Sequence, residues 1–313
     1  MSNFIVIFAC MVAGILCKRI HNFPSTTARS LNAFVIFLSL PSLVLTQMPK
    51  VFSTMNFHGL WWQPVSTAWI TFILSFMFFY FIGKKLGWSQ AKIGALILTA
   101  GLGNTSFVGF PLLEALIGPE AIPVGILVDQ PGSFLVLSTL GITVASVLSG
   151  SKINPWIMMK RVCGFPPFIA LVISIFWAIS GLAGFEMLAP SLSKVAATLV
   201  PLALFAVGFQ LKFDLMILRK RALALSLGLS FKLILIPGLF FLIYKNLLRL
   251  HDLTAHVIIL ESAMASMITS AVVASEFNLD TELANLMVGI GIPLSLLSVP
   301  AWNYLINFYI TSY

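Results

Sequence analysis

The sequence predicts an all-α polytopic membrane protein of ten transmembrane helices in two inverted five-helix repeats. Three observations lead to this fold class. The 313-residue chain is 59% hydrophobic and only 9% charged, whereas a soluble domain is about 25% charged. Long apolar runs follow one another with short connections, and the basic residues alternate between the two ends of these runs. Prolines recur at a nearly constant spacing in the two halves of the chain.

The apolar runs set the number of spans. A helix that crosses a bilayer needs about 20 apolar residues, and ten runs approach or exceed this length. No polar stretch between them is long enough for an added soluble domain. We number them spans 1 to 10, at residues 3–20, 28–47, 64–83, 92–117, 121–149, 166–184, 192–210, 222–244, 256–276 and 283–309.

The Lys and Arg residues give the orientation. Basic residues accumulate in cytoplasmic loops, and thirteen of the eighteen follow spans 1, 3, 5 and 7, against four on the other side. We therefore expect a multi-pass cell-membrane protein with both termini outside. The net charge of +8 reflects this topology and not a nucleic-acid partner. The thirteen residues are Lys18, Arg19, Arg29, Lys84, Lys85, Lys92, Lys152, Lys160, Arg161, Lys212, Arg219, Lys220 and Arg221; the four are Lys50, Lys194, Lys245 and Arg249.

Two repeats of five spans must be inverted, because an odd number of crossings reverses the second repeat in the membrane. The halves are residues 1–150 and 151–313. Pro41 in span 2 recurs as Pro201 in span 7, and Pro131 in span 5 recurs as Pro293 in span 10. This spacing is typical of inverted-repeat transporters, although chance recurrence of prolines remains the alternative.

Span 4 contains residues that a membrane helix should avoid. Asn104, Thr105 and Ser106 lie in the apolar run, followed by Gly109 and Pro111. Proline lacks an N–H and clashes with the carbonyl one turn back, so we expect the helix to open at Gly109 and Pro111 and a second half-helix to begin there. Its N-terminal amides attract an anion, and the side chains of residues 104–106 add neutral donors, which release a substrate more readily than Lys or Arg. The alternative is a simple proline kink.

Span 9 has a comparable weak point at the matching position of the second half. The stretch SAMASMITSAVVASEF is rich in small and hydroxyl residues, and Ser266, Thr269 and Ser270 are the candidate ligands. Discontinuous helices at corresponding positions of two repeats form the substrate site near the membrane midplane. For span 9 alone, a kink without a site is the stronger reading.

The span 4 stretch N-T-S-F-V-G-F-P-L-L, Asn104 to Leu113, resembles the crossover motif of the auxin efflux carrier family. Further similarity lies in LNAFVIFLSLPSLVL of span 2 and ASEFNLDTELANLMVGIGIPLSLLSVP of spans 9 and 10, so the resemblance covers the whole chain. The family includes plant auxin exporters and bacterial carriers of small organic acids such as malonate and malate. Its fold is shared with bile-acid sodium symporters and sodium/proton antiporters.

The resemblance implies a scaffold of spans 1, 2, 6 and 7 and a transport domain of spans 3–5 and 8–10, in which broken helices 4 and 9 cross beside the substrate. It also implies elevator-type movement and a homodimer through the scaffold. The absence of a long loop between spans 5 and 6 resembles the bacterial members, which implies a bacterial inner membrane. Asn104 matches the substrate-contacting Asn, and Pro111 the crossover proline. Span 9 departs from the family, because Ala265 replaces a Pro and Phe277 a Tyr, so we expect a softer second break.

Three ionisable residues lie within spans: Asp129 beside Gln130 in span 5, Lys232 in span 8 and Glu261 in span 9. Intramembrane charges usually pair or serve a pathway. Our hypothesis is that Asp129 or Glu261 takes up and releases a proton during transport, that Asp129 is the better candidate, and that Lys232 pairs with one of them. A static ion pair is the alternative, and sodium coupling of the same fold is another, although no carboxylate cluster resembles a sodium site.

Other function classes find little support. An intramembrane protease would need an Asp where the GLGN sequence has Asn104, and no H-E-x-x-H or G-x-S-x-G motif is present. A channel needs a continuous pore, which paired broken helices do not suit. We predict no cofactor and no metal site, because the three cysteines and the four histidines (His21, His58, His251 and His256) have no ligand spacing. The sequence thus predicts a secondary transporter for a small organic anion, a mono- or dicarboxylate.

Overall fold

The computed structural model describes residues 2–20, 23–54, 61–151, 155–180, 185–210, 215–248 and 252–310. Within these ranges every secondary-structure element is a helix. The only β-bridge in the described residues is an isolated one between Gly103 and Ser266. Six apolar helical stretches of the described chain are long enough to cross a bilayer, and four apolar helices are shorter. The protein is therefore a multi-pass membrane protein.

The helices of the first half follow the predicted spans 1 to 5. Pro119–Ala121 forms a short 3-10 turn, and four segments are π-helical: Val35–Ser39, Thr105–Gly109, Asp129–Phe134 and Leu137–Gly141. The α-helices are α1 Ser2–Cys17, α2 Thr27–Phe34, α3 Leu40–Thr54, α4 Trp62–Lys85, α5 Gln90–Gly101, α6 Phe110–Leu116, α7 Ile122–Val128 and α8 Ile142–Ser149.

The second half contains one element that the sequence did not predict, a helix between spans 5 and 6. Two of its segments are π-helical, Phe231–Leu235 and Ile243–Leu248. The α-helices are α9 Pro155–Cys163, which is the added one, α10 Pro166–Ser180, α11 Phe185–Ala196, α12 Leu199–Gln210, α13 Leu215–Ser230, α14 Ile236–Leu242, α15 Leu253–Ser262, α16 Ile268–Glu276 and α17 Thr281–Ile310.

The structure corrects span 7, which consists of α11 and α12 and is not one helix from residue 192. It does not address every predicted feature. Some basic residues and histidines used above lie outside the described residues, namely Lys152, Lys212, Arg249, His21, His58 and His251.

Polar side chains fix where several helices begin. Ser89 accepts from the Lys92 amide at the start of α5, and Asp252 accepts from the Ala255 amide at 2.8 Å at the start of α15. Such caps satisfy amides that have no partner in the first turn. At the start of α17, Asp280 is also bound by Arg221 of α13 at 2.6 Å, which ties two spans together at this end.

The described helices pack in two groups. In the first, α1 packs on α12, α2 on α12, and α3 on α10 and α11; in the second, α5 packs on α4, α8, α16 and α17, and α15 on α4, α7 and α14. The groups meet where α1 contacts α6, α3 contacts α7, and α12 contacts Thr105–Gly109. The interrupted segment of span 4 therefore lies at the boundary between the groups.

Glycines bring α1 and α12 into backbone contact. A Cβ atom on Gly14 would collide with the carbonyl oxygen of Phe205, and one on Gly208 would collide with the carbonyl oxygen of Met11. Small residues at a helix interface permit this approach in membranes, where tight packing and not the hydrophobic effect joins helices. The first group is thus assembled around a glycine seam, defined here as Gly14 and Gly208.

Candidate functional site

The break in span 4 lies at residues 102–104 and not at Gly109 and Pro111, where we predicted it. Pro111 is the second residue of α6, and proline is tolerated in the first turn of a helix because its amide needs no partner there. In the π-helical turn before Pro111, backbone amides donate to the carbonyl five residues back instead of four. The Gly109 amide accordingly donates to the Asn104 carbonyl at 3.0 Å. The second half-helix consequently begins at Thr105 and not at Pro111.

The break in span 9 is fully formed, although the usual proline is replaced by Ala265. Residues 263–267 separate α15 from α16, so the expectation of a softer break was wrong. The reason is that partners outside the helix replace the helical hydrogen bonds of this segment. A proline would only remove one donor, whereas pairing with another segment satisfies the backbone.

That partner is the break of span 4. The Asn104 amide donates to the Ala265 carbonyl at 2.7 Å, and the Met267 amide donates to the Leu102 carbonyl at 3.0 Å. The pairing is antiparallel, so the segments that follow the two breaks leave this point in opposite directions. We call the paired residues 102–104 and 263–267 the crossing. Irregular backbone at this depth is satisfied internally, as a membrane requires.

Two polar groups at the crossing retain unused hydrogen-bonding capacity. Asn104 Oδ1 accepts from the Phe107 amide at 3.2 Å and caps the segment that follows, but Asn104 Nδ2 has no partner among the described residues. The Ser266 hydroxyl is buried and has no partner among them either. Buried polar groups are rarely left unpaired, so each of these two atoms can still take a hydrogen-bond partner.

The Asp129 carboxylate accepts hydrogen bonds from the hydroxyls of Thr105 and Ser106, which we predicted to bind the substrate. Its Oδ1 accepts from Thr105 and from Ser106, the latter at 2.5 Å, and its Oδ2 accepts from the side chain of Gln130. These groups are buried. An ionised carboxylate only accepts hydrogen bonds, so three donors suit it. Thr105 and Ser106 thus support Asp129 in this conformation.

Glu261 is buried without a partner. Its side chain is 1% exposed, and neither carboxylate oxygen has a hydrogen-bond partner among the described residues. Both oxygens face the backbone of Gly109, where a Cβ would lie 2.8 and 2.9 Å away, and Oε1 faces Gly125, where it would lie 3.3 Å away. Gly109 therefore makes room for Glu261, which is a different role from the helix break that we predicted.

Lys232 reaches the crossing from the second packing group. Its side chain is buried, and a Cβ on Gly103 would lie 3.2 Å from Nζ. Lys232 and Glu261 interact electrostatically, but within the described chain no direct ion pair joins Lys232 to Glu261 or Asp129. The nearby ends of α5 and α15 carry partial negative charge, because C-terminal carbonyls lack helical partners, and this favours a cation at Lys232.

The remaining predicted ligands lie along α16 and α6. The Ser270 hydroxyl donates to the Met267 carbonyl at 2.7 Å, so it is engaged within its own helix. Thr269 is half-buried beside it. Pro111 is buried and faces a cavity at the boundary between the packing groups.

Two cavities lie between the packing groups, one beside each segment that leaves the crossing. The Pro111 cavity, of about 450 Å³, is bounded by α6 and α7 on one side and by α1, α3, α11 and α12 on the other. The Ser275 cavity, of about 1290 Å³, is bounded by α16 and α17 and by α2 and α12. Because the crossing is antiparallel, they lie on opposite sides of it. Polar residues lining them include Thr46, Gln47, Glu114 and Ser193 in the first, and Gln210, Ser275 and Asn285 in the second.

Comparisons with known proteins identify the family of the chain. A family model described as membrane transport protein matches residues 1–303. The chain belongs to the auxin efflux carrier family. An uncharacterized transporter of Methanothermobacter thermautotrophicus is 26% identical to it over 95% of both chains, and one of Methanocaldococcus jannaschii is 25% identical over 98% of both chains. The family is one of membrane transporters, as the sequence predicted.

In this auxin efflux carrier family member, two tryptophans that we did not single out brace the charged segments. The Trp69 indole donates to the Pro131 carbonyl at 3.1 Å, and the Trp302 indole donates to the Leu233 carbonyl at 2.9 Å. These carbonyls belong to the π-helical segments that carry Asp129 and Lys232. π-helical turns are frequent at functional sites, and here each is fixed by an indole from a neighbouring span.

For the Trp302–Leu233 hydrogen bond, the sequence indicates the acceptor but not the donor. Leu233 lies four residues before Pro237, which has no amide to donate to it. The sequence therefore indicates a free carbonyl one residue after Lys232. It does not indicate the donor, because Trp302 is distant in the chain and approaches only through packing.

We expect Trp302→Phe to lower the thermal stability of the purified protein by about 1–3 kcal/mol, because it leaves the buried Leu233 carbonyl without its donor. Phenylalanine keeps an aromatic ring but lacks the pyrrole part of the indole, so some of the loss is lost packing. Trp62→Phe is the matched control, since that indole is half exposed at the start of α4. Equal melting temperatures for the two variants would contradict the bracing role of Trp302.

Proposed function

We propose that this auxin efflux carrier family member is a secondary transporter that binds a small organic anion, a mono- or dicarboxylate, at the crossing. The single observation that supports it is the pair of buried, unpartnered groups, Asn104 Nδ2 and Ser266 Oγ, at the antiparallel junction of two broken helices. Both are neutral and both can donate. A carboxylate supplies the acceptors that they lack, and the amide-rich starts of the two following segments favour negative charge.

We further propose alternating access of the elevator type, in which spans 3–5 and 8–10 move against a scaffold of spans 1, 2, 6 and 7. Ten helices in two inverted repeats, at residues 1–150 and 151–313, would give this division. The two packing groups support it, and so do the cavities on opposite sides of the crossing. Termini outside, a bacterial inner membrane and a homodimer through the scaffold belong to the same proposal.

The charges beside the crossing imply that a cation accompanies the anion. Asp129 and Glu261 oppose an anion nearby, whereas Lys232 favours it, so with all three ionised the centre carries a net negative charge. Binding an anion there is unfavourable at low dielectric unless one carboxylate is neutralised. We propose Asp129, Gln130, Lys232 and Glu261 as the coupling centre, with sodium in place of a proton as the alternative.

Thermal stability of the purified protein in the presence of malonate, malate, acetate and indole-3-acetate tests the binding site. A ligand that binds only the folded state stabilises it by about 2.7 kcal/mol at a hundred times its Kd. We expect at least one carboxylate to raise the melting temperature of the wild type but not of Asn104→Ala, because the substitution removes the free donor.

Asn32→Ala is the matched control. Asn32 is on α2 of the first packing group and also has an unpartnered side-chain oxygen, so it tests the general effect of removing a membrane Asn. Its ligand shift should equal that of the wild type. Equal shifts in wild type and Asn104→Ala would exclude Asn104 as a contact, and no shift with any carboxylate would count against an organic anion.

A further inference from the structure

We propose that Glu261 is the proton-carrying group of the carrier, and that Gly109 and Gly125 form the compartment in which it is protonated and released. The inference rests on the proposed function. It specifies the coupling ion, which is a proton, and the residue that carries it. It differs from the sequence-based hypothesis, which preferred Asp129. What distinguishes the two carboxylates is their hydrogen bonding and not their depth, since both are buried.

Glu261 has no hydrogen-bond donor among the described residues to stabilise a buried negative charge. Neither oxygen accepts a hydrogen bond within the described chain, and Lys232 interacts with it only through space. Taking an unpaired carboxylate out of water costs several kcal/mol even after relaxation, and such groups neutralise instead. A protonated carboxylic acid is the neutral form that this compartment can hold.

Two glycines on different elements shape that compartment. Gly109 closes the π-helical turn of span 4, and Gly125 lies in α7; a Cβ on either would lie 2.8–3.3 Å from the carboxylate oxygens. This is closer than nearly all Cβ contacts to neighbouring atoms. The space beside these glycines holds the Glu261 carboxyl group and leaves no room for a Cβ on either of them. Along the chain, Glu261 lies two residues before the crossing.

Asp129 is the opposite case. Thr105, Ser106 and Gln130 all donate to it, which suits an ionised carboxylate. Asp129 and Lys232 then offset each other's charge, and a protonated Glu261 leaves the centre neutral. Loss of the Glu261 proton makes the centre negative, so proton and anion favour each other's binding. This is the condition for symport.

The other charged groups on α15 and on the elements packed against it lie at the ends of helices or in a turn. Asp252 and His256 share its first turns, Glu120 belongs to the Pro119–Ala121 turn, and Lys84, Lys85 and Glu282 lie at the far ends of α4 and α17. The ionisable groups within the spans whose charge acts on Glu261 are Asp129 and Lys232. The charges of Asp129 and Lys232 act on Glu261 in opposite directions. The charge of the centre therefore changes with the proton on Glu261.

Infrared difference spectroscopy of the purified full-length protein in an ester-free detergent tests this without any substrate. A protonated carboxylic acid gives a carbonyl band that shifts in heavy water, and surface carboxylates are ionised near neutral pH. We expect the wild type to show this band near neutral pH, Glu261→Gln to lose it, and Asp129→Asn to keep it. Gly109→Ala should shift its frequency, because the added Cβ presses on both carboxyl oxygens; this second variant serves if Glu261→Gln does not fold.

The outcomes separate the alternatives. A band that survives in Glu261→Gln but disappears in Asp129→Asn would assign the proton to Asp129 and overturn the proposal, as would the absence of any band in the wild type near neutral pH. Loss of the band when sodium chloride replaces choline chloride would assign the site to sodium. Because no substrate is used, the band also remains interpretable if every carboxylate fails in the thermal-shift panel.

Discussion

Replacing Lys232 by methionine is expected to lower net uptake of the transported anion about a hundredfold more than it lowers anion exchange. Both processes lose some anion binding, because the charge of Asp129 is then not offset. Exchange needs only the loaded, protonated carrier to move. Net uptake also needs the empty carrier to return with Glu261 ionised, and Lys232 is the buried cation that makes this ionisation tolerable. An uncompensated buried charge costs about 3–5 kcal/mol, which corresponds to a loss of net uptake of about a hundredfold or more.

Uptake and counterflow into proteoliposomes, with the carboxylate that the thermal shift identifies, measure the two processes separately. Lys245→Met is the matched control: Lys245 directly follows span 8, and its ammonium lies 3.4 Å from the centre of the Tyr309 ring. Its uptake should equal that of the wild type. Addition of Glu261→Gln to Lys232→Met should cause no further loss of net uptake, because coupled residues are not additive. Equal losses of exchange and uptake in Lys232→Met would reduce Lys232 to a structural residue.

Local chemistry made the interrupted spans predictable. Asn104 to Ser106 in an apolar run announced a functional interruption in span 4, and the lag between the repeats directed attention to Ser266 in span 9. The span 4 residues also carried part of the resemblance to the family, and the family is confirmed. These signals are local because a membrane segment shows its polar residues against an apolar background.

The internal arrangement of the site depends on neighbours that are distant in sequence. The predicted position of the span 4 break was wrong. The π-helical turn that accommodates Pro111 depends on helix packing and on the backbone hydrogen bonds between the two breaks. Likewise Thr105 and Ser106 looked like free donors until Asp129 was found to accept both. The role of Gly109 could be read only from the position of Glu261, which lies 152 residues later in the chain.

The span 9 break illustrates the same limit. Ala265 replaces the family's proline, so local reasoning favoured a softer interruption, yet residues 263–267 are as clearly non-helical as 102–104. A break needs alternative partners for its backbone more than it needs a breaker residue. Leu102 and Asn104 supply these partners, and they belong to the other half of the chain.

The largest loss of stability is expected from Gly208→Ala. The added Cβ would meet the backbone oxygen of Met11, which cannot rotate away as a side chain would, so α1 and α12 must separate. Overpacking in a well-packed interior costs about 1–3 kcal/mol and occasionally more, and a backbone obstacle belongs at the upper end. Fluorescence-detected size-exclusion after heating measures the change in the purified protein.

Gly238→Ala is the control for this prediction, because Gly238 also lies in a membrane helix but its nearest contact is an ordinary one, 3.5 Å to Trp302. Alanine is a better helix former than glycine by about 0.8–1.0 kcal/mol, so this variant should be as stable as the wild type or more so. The two substitutions are chemically identical, and their opposite signs isolate the backbone contact. The double variant with Gly14→Ala should lose less than the sum of its parts, since either methyl already separates the helices. If Gly208→Ala has the same melting temperature as the wild type, the first packing group is not assembled around the glycine seam.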